Sequence, residues 1–462
     1  MLLRAILLST IIIFSSCEKN NPSPTQIVGC MDSAALNYNA DATIDDDSCT
    51  YPEDCNGVQN GLAALDMCGV CHESYMYAGM GAATPVATYA DTVGQAGTFI
   101  LAGSPSDVMN NPGWNATCAG YFFYADGYST VSYGGQTARL DMASEMMSAL
   151  ASGSTTESML DGMFDNSGDY FSNADLNASS KQIKSKTATG AENALSTAER
   201  EYVQGLFDGW FADYAANVAP IIDGTVEASP GVAGWVGNRE LNAKGMEYDQ
   251  IVAKSLIGAL CLDQVVNSYL SPTKIGMTVD NTTRDPQEDN NATAMEHHWD
   301  EGFGYVYGKF GPNNIYGDLE SDGLLGKYVN KYPQYIPVVL GAFQAGREAI
   351  IANDHAEKDA QAQIIKETLS TVVALKAISY LEGASTELAA NGYSADYFHD
   401  LSEGYGFILS LQFTYNSNGL PWFTHAEVND MLAALEAGNG LWDRTVSELD
   451  AMVLDIKTVT GL

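Results

Sequence analysis

From Gln136 onwards apolar residues recur at intervals of three and four, and this period constrains the fold more than any other feature of the sequence. "TARLDMASEMMSALAS" is the first clear helix. In "STAEREYVQGLFDGWFADYAANVAPII", Ser196 and Glu199 form a capping box, and Val203, Leu206, Phe207, Trp210 and Phe211 make one apolar stripe. "MEYDQIVAKSLIGALCLDQVVNSYL" is apolar on most sides, which predicts a central buried helix. "YIPVVLGAFQAGREAIIAN", "AQIIKETLSTVVALKAISYLEGA" and "DYFHDLSEGYGFILSLQF" continue the period. "HAEVNDMLAAL", with a Thr424–Glu427 capping box, and "VSELDAMVLDIKTVTG" end it. With no convincing strand among them, these segments predict an all-α domain of bundle type over 135–462.

Inside that domain one pattern occurs twice. Residues 297–305 read "HHWDEGFGY" and residues 399–407 read "HDLSEGYGF". Both are His-x-x-x-Glu-Gly-aromatic-Gly-aromatic, and each follows a long apolar helix (246–270 and 362–383) and a loop. A single repeat at about a hundred residues is too long for a solenoid unit. It predicts two similar helical-bundle halves, 135–310 and 325–462, related by a pseudo-two-fold axis.

On a helix, His at i and Glu at i+4 lie on one face. A two-fold would set the pairs against each other, making His297, Glu301, His399 and Glu403 a ligand set for iron, zinc or manganese. His298 and Asp300 lie on neighbouring faces and are candidates for extra ligands or supporting groups. Arg347, in "GREAI", is a candidate for either a buried ion pair or anion binding. The bland alternative is that each His–Glu pair satisfies polar groups at a bundle centre. No HExxH, G-x-S-x-G or P-loop is present, so no catalytic residue is assigned.

The N-terminus speaks about location. "MLLRAILLSTIIIFSSC" has one Arg and then an apolar run too short to span a membrane, which predicts a signal peptide over 1–16. Ser15-Ser16-Cys17 resembles a bacterial lipobox, with Cys17 as the lipidated residue and 17–28 as a polar tether. The chain has 21 basic against 58 acidic residues, a net charge of −37, which argues against nucleic acid or an anionic lipid surface as partner.

Export makes disulfides plausible, and residues 29–75 are read as small disulfide-rich modules. The stretch Cys30–Cys49 resembles a short module of secreted proteins from Gram-negative marine bacteria, through Gly29, Asp32, Ala35, Asn37, Tyr38, Asn39, Asp46, Asp47 and Tyr51. Asn37, Asn39, Asp41, Thr43 and Asp45 alternate oxygen side chains, as a calcium ion would need, although a solvated acidic turn does the same. Cys55, Cys68 and Cys71 form a second module, with disulfides favoured over zinc and Cys118 available to the odd cysteine. Residues 76–134 read as an irregular connection containing a hairpin near "YFFYADGYSTVSYGG", and Cys261 as a buried thiol.

"YGGQTARLDM", "FSNADLNASSKQIKSKT", "ASPGVAGWVGNRELNAKGMEYDQIVAKSLIGAL", "TAMEHHWDEGFGY", "GREAI" and "HDLSEGYGFILSL" together resemble a domain of unknown function carried by bacterial surface lipoproteins, over about residues 120–460. That domain is similar in style to the imelysin-like proteins, two-lobed all-α proteins tied to iron uptake. Their Gly-x-His-x-x-Glu signature is met at His298-Trp299-Asp300-Glu301, with Glu296 in place of the Gly. The resemblance implies a bacterial surface lipoprotein; with the lipobox and the paired His/Glu motif it leads to the expectation of an exported, outer-membrane lipoprotein facing the periplasm or the cell surface, which binds an iron-like metal ion or a metal-containing ligand. A metal-dependent peptidase or hydrolase, with Glu301 or Glu403 as base, and a structural or glycan-binding lipoprotein are the alternatives.

Overall fold

The computed structural model describes residues 128–284, 291–309 and 324–462, Tyr121 and 123–125 before them, most of 26–65, and strand residues 71–72, 74–77, 84–86 and 98–100. The expected signal peptide, Cys17, Cys55, Cys68 and Cys118 lie outside the described residues, and Cys71 is described only for its backbone. The chain divides into two compact units, 1–64 with 71–102 and 65–70 with 103–462.

In the first unit Cys30 and Cys49 are joined by a disulfide. The alternating oxygen side chains hold the loop's own backbone. The Asn37 amide donates to the Ser48 carbonyl (2.7 Å) and its oxygen accepts from the Thr50 N–H (2.8 Å). Asn39 accepts from Asp41 N–H, Thr43 from Ile27 N–H and Asp45 from Asp47 N–H. Short polar side chains do this in turns because they reach a backbone N–H two residues on. Further along, strand Ser74–Tyr77 pairs antiparallel with Thr84–Val86 and with Thr98–Ile100. The sequence reading has only an irregular connection here, because strands of three or four residues are too short for alternation to register.

The second unit is helical. Its main helices are α1 (Gly134–Ala149), α2 (Glu157–Asp165), α3 (Thr197–Asp213) and α4 (Tyr248–Tyr269). These are followed by α5 (Ala294–Tyr307), α6 (Ile336–Ile351), α7 (His355–Asn391), α8 (Ala395–Ser410), α9 (His425–Glu436) and α10 (Val446–Thr460). The Ser196–Glu199 and Thr424–Glu427 capping boxes are formed as read, and two more, Thr293–Glu296 and Thr445–Glu448, start α5 and α10. The hairpin near residue 125 is present, Tyr124–Ala125 against Tyr128–Ser129. A second one, Gly234–Val236 against Arg239–Leu241, departs from the strandless reading; three residues per strand leave no periodic trace.

Helix α4 is the axis of this unit. Every residue from 251 to 270 is buried, as the apolar run predicts. Two stretches of it, Ile257–Leu262 and Val265–Tyr269, are π-helical. Its first half lies against α8, where a Cβ on Gly258 would fall 2.3 Å from Ser410, so the helices touch backbone to backbone. Its last turns lie against α5, which also packs on α1 and α6. The long α7 backs onto α6, α8 and α10. Residues of both expected halves thus share one hydrophobic core. Cys261 is buried in α4 and forms no disulfide.

Candidate functional site

Helix α5 presents its residues to three different environments. Glu296, in the capping box, receives both guanidinium nitrogens of Arg284 (2.5 and 2.6 Å) and lies 2.9 Å from Arg347. Burial raises the Glu296 carboxyl, but the two arginines override it and hold it below the ordinary range. One turn on, Asp300 accepts from Arg347 Nε (3.0 Å) and from the Tyr121 hydroxyl (2.7 Å). Arg347 also donates to the Thr130 hydroxyl (2.8 Å) and lies over the Phe123 ring. Glu296, Asp300 and Arg347 are all 0% exposed. Trp299 donates to the Phe343 carbonyl (2.8 Å), and its indole occupies the space a Cβ on Gly346 would need. "GREAI" and "EHHWDEGFGY" are therefore two sides of one buried ion network. Asp300 and Arg347 belong to that network. His298 faces elsewhere, with Nδ1 on the Lys274 carbonyl at 2.8 Å.

His297 and Glu301 share the remaining face, with Nε2 and Oε2 3.9 Å apart. Gln136, on α1, donates to Glu301 (3.0 Å) and contacts the Tyr269 hydroxyl (3.2 Å). Burial and the Glu301 carboxylate both push the Tyr269 hydroxyl up. The pair lines a cavity of about 330 Å³ together with Gln136, Tyr269, Arg139, Lys181 and Lys186. Burial and the neighbouring Arg139 push the Lys186 ammonium down, while Glu301 pulls it up.

His399 and Glu403 repeat the 3.9 Å separation on α8, but their surroundings differ. His399 Nδ1 donates to Glu247 (2.7 Å), which is itself paired with Arg239 (3.2 Å). Glu403 receives Lys254 Nζ at 2.8 Å and the Tyr328 hydroxyl at 3.4 Å. Burial raises the Glu403 carboxyl, and Lys254 more than reverses that. The side chains of this pair are 22% and 8% exposed, against 37% and 20% for His297 and Glu301.

The structure does not bring the two pairs together. Glu403 is met by Lys254, near the start of α4, and Glu301 by Tyr269, at its end. At about 1.5 Å per residue the fifteen steps from 254 to 269 span roughly 20 Å. Among the described residues no three His, Cys, Asp or Glu side chains form a group that could hold a metal ion. The glycines do correspond. A Cβ on Gly302 or Gly404 would sit in ordinary contact, 3.5 Å from Tyr269 or Tyr380. A Cβ on Gly304 would fall 2.5 Å from Tyr133, and one on Gly406 2.5 Å from Lys254.

Sequence reasoning passed over the pocket's cations. Their signal is "KQIKSKT", in which Lys181, Lys184 and Lys186 crowd together in a chain with only 21 basic residues. Lys184 is taken up by Asp208 (2.8 Å), whereas Lys181 and Lys186 face the pocket. Elsewhere, His425 is held between Gln412 and Asn429, and His355 is the first residue of α7.

A family model described as a domain of unknown function (DUF4856) matches residues 118–462. No curated protein and no solved structure matches the chain.

Proposed function

The chain is a member of this family, and we propose that it is an exported, lipid-anchored binding protein whose ligand seat is the pocket at His297 and Glu301. One contrast carries the reading. His399 and Glu403 are consumed by Glu247 and Lys254 inside the protein, while His297 and Glu301 open onto a cavity of about 330 Å³. That volume is at the lower end for small-molecule sites. The lipobox at Cys17 and the apolar leader support an outer-membrane location, with the ligand met in the periplasm or at the cell surface.

A metal enters this reading as part of the ligand. His297 and Glu301 supply one nitrogen and one oxygen, so an iron-like ion held here brings the rest of its coordination with it, as a chelate does. The test is thermal shift of the full-length protein with ferric citrate and with zinc, beside His297→Ala, Glu301→Ala, His399→Ala and Glu403→Gln. The first two variants are expected to lose the ligand-induced shift while their unliganded Tm moves by no more than about 2 °C. The last two are expected to lose Tm and keep the shift. A shift that is absent throughout, or equal in all four variants, overturns the proposal. Incorporation of labelled palmitate that persists in Cys17→Ser overturns the anchor.

A further inference from the structure

The pocket is cationic, in a chain whose net charge is −37. Arg139, Lys181 and Lys186 line it against one carboxylate, Glu301, and among the described residues none of the three cations is in an ion pair with an acid. Arg139 is fixed by bonds to the carbonyls of Gln182 (2.8 Å) and Gly135 (3.0 Å), so its charge is placed without being neutralised. A Cβ on Gly135 would stand 3.5 Å from both Arg139 Nη1 and Lys181 Nζ, so two cations converge on one spot at the pocket wall. Lys186 adds a third from above the Tyr269 ring, 5.4 Å from its centre. Next to Tyr269, the Tyr305 hydroxyl is fully buried and has no hydrogen-bond partner among the described residues.

Like charges gathered in a half-buried cavity repel one another, and the arrangement is stable at low cost only when an anion lies among them. With 58 acidic residues available, a carboxylate on this wall would have been the simple way to quench the cluster, yet among the described residues the only acid in the lining is Glu301. Resting on the reading of this pocket as the ligand seat, we infer that the ligand is a small oxyanion, carrying a carboxylate or a phosphate. Its charged group sits at Arg139, Lys181 and Lys186. The Glu301 carboxylate accepts a hydrogen bond from a hydroxyl of the ligand, and the His297 ring gives or accepts one. Two oxyanion-bearing sources fit this chemistry, inorganic phosphate and an organic polycarboxylate.

Isothermal titration of the full-length protein with sodium phosphate, with sodium citrate and with uncharged glucose, at matched ionic strength, tests this. One or both anions should bind and glucose should not; the stronger anion names the source. A charge-assisted contact is worth enough that Lys181→Ala and Lys186→Ala should each weaken binding about tenfold or more. Lys184→Ala, outside the cluster and paired with Asp208, should leave it unchanged. Both lysines are half-buried with no acid to lose, so these variants are expected to fold. Binding of neither anion above sodium chloride, or equal affinity in Lys181→Ala and Lys184→Ala, overturns the inference. If zinc still binds and is lost in His297→Ala, the pocket stands as a seat and only its ligand class has failed. If His297→Ala and Lys181→Ala are both silent for every probe, the seat itself has failed.

Discussion

Two copies of one nine-residue pattern end in different physical situations. On α8 the glutamate meets a lysine, Lys254; on α5 it meets a neutral amide, Gln136. Each partner extends from the residue whose neighbourhood the second glycine opens, since the nearest atoms to a Cβ on Gly406 include Lys254 and those to a Cβ on Gly304 include Gln136. The same local design therefore yields a lysine-paired carboxylate in one place and, in the other, a carboxylate held by a neutral amide at a pocket. A motif sets which side chains share a face; the partner across the interface sets whether they bind the protein or something else.

The difference can be broken most forcefully at the partners. Lys254→Met takes from the buried Glu403 its nearest counter-charge and should cost about 3–5 kcal/mol in urea denaturation, since the carboxylate keeps its desolvation penalty. Gln136→Met removes a neutral donor from a more exposed carboxylate and should cost about 1–2 kcal/mol. Equal losses would mean that the two glutamates are in equivalent surroundings after all.

The glycines give the next largest effect. Gly304→Ala and Gly406→Ala force a methyl to within 2.5 Å of a neighbouring Cβ and should each lose about 1–3 kcal/mol by thermal melting. Gly302→Ala and Gly404→Ala have room and should be neutral, or gain up to about 1 kcal/mol from helix propensity. Loss at all four positions would remove the correspondence between the copies.

A smaller effect depends on pH. Burial opposes a charged His399 ring, but Glu247 overrides it and lifts the imidazole above its usual 6.5. The stabilisation is fully present below pH 6.5 and disappears as the pH climbs through the raised value. His399→Gln should therefore lose on the order of 1 kcal/mol at pH 5 and clearly less at pH 9, read from urea midpoints. A gap that widens with pH would reverse the assignment. The smallest effect is expected at His297→Ala, under about 0.5 kcal/mol on the unliganded protein, because its side chain is 37% exposed. A loss equal to that of His399→Ala would make both pairs structural.

Much of this was legible from the chain alone, for a definite reason. Helix periods and capping boxes are encoded within a few residues, and so is the burial of residues 251–270, a run that is apolar on most sides. The i,i+4 geometry of each pair is equally local, and the 3.9 Å separations follow from it. What the pairs face is not local. Glu247 lies 152 residues from His399 and Gln136 lies 165 from Glu301, and no period links them. The expected meeting of the pairs fails on the same ground, since a two-fold relation says nothing about how far each motif lies from its axis. Lys181 and Lys186 sit in a stretch dominated by turns, where only their density in an acidic chain marks them.

Helix α4 has a practical consequence for anyone dissecting this protein. By length and composition alone the segment Tyr248–Tyr269 is long and apolar enough to cross a bilayer, yet 94% of its apolar window is enclosed by the rest of the unit. A fragment ending before α8 would lack the surface that Gly406 and Ser410 lay against it. Such a truncation would carry a greasy rod with no jacket. It would partition into detergent or membrane fractions and could be mistaken for an integral membrane protein.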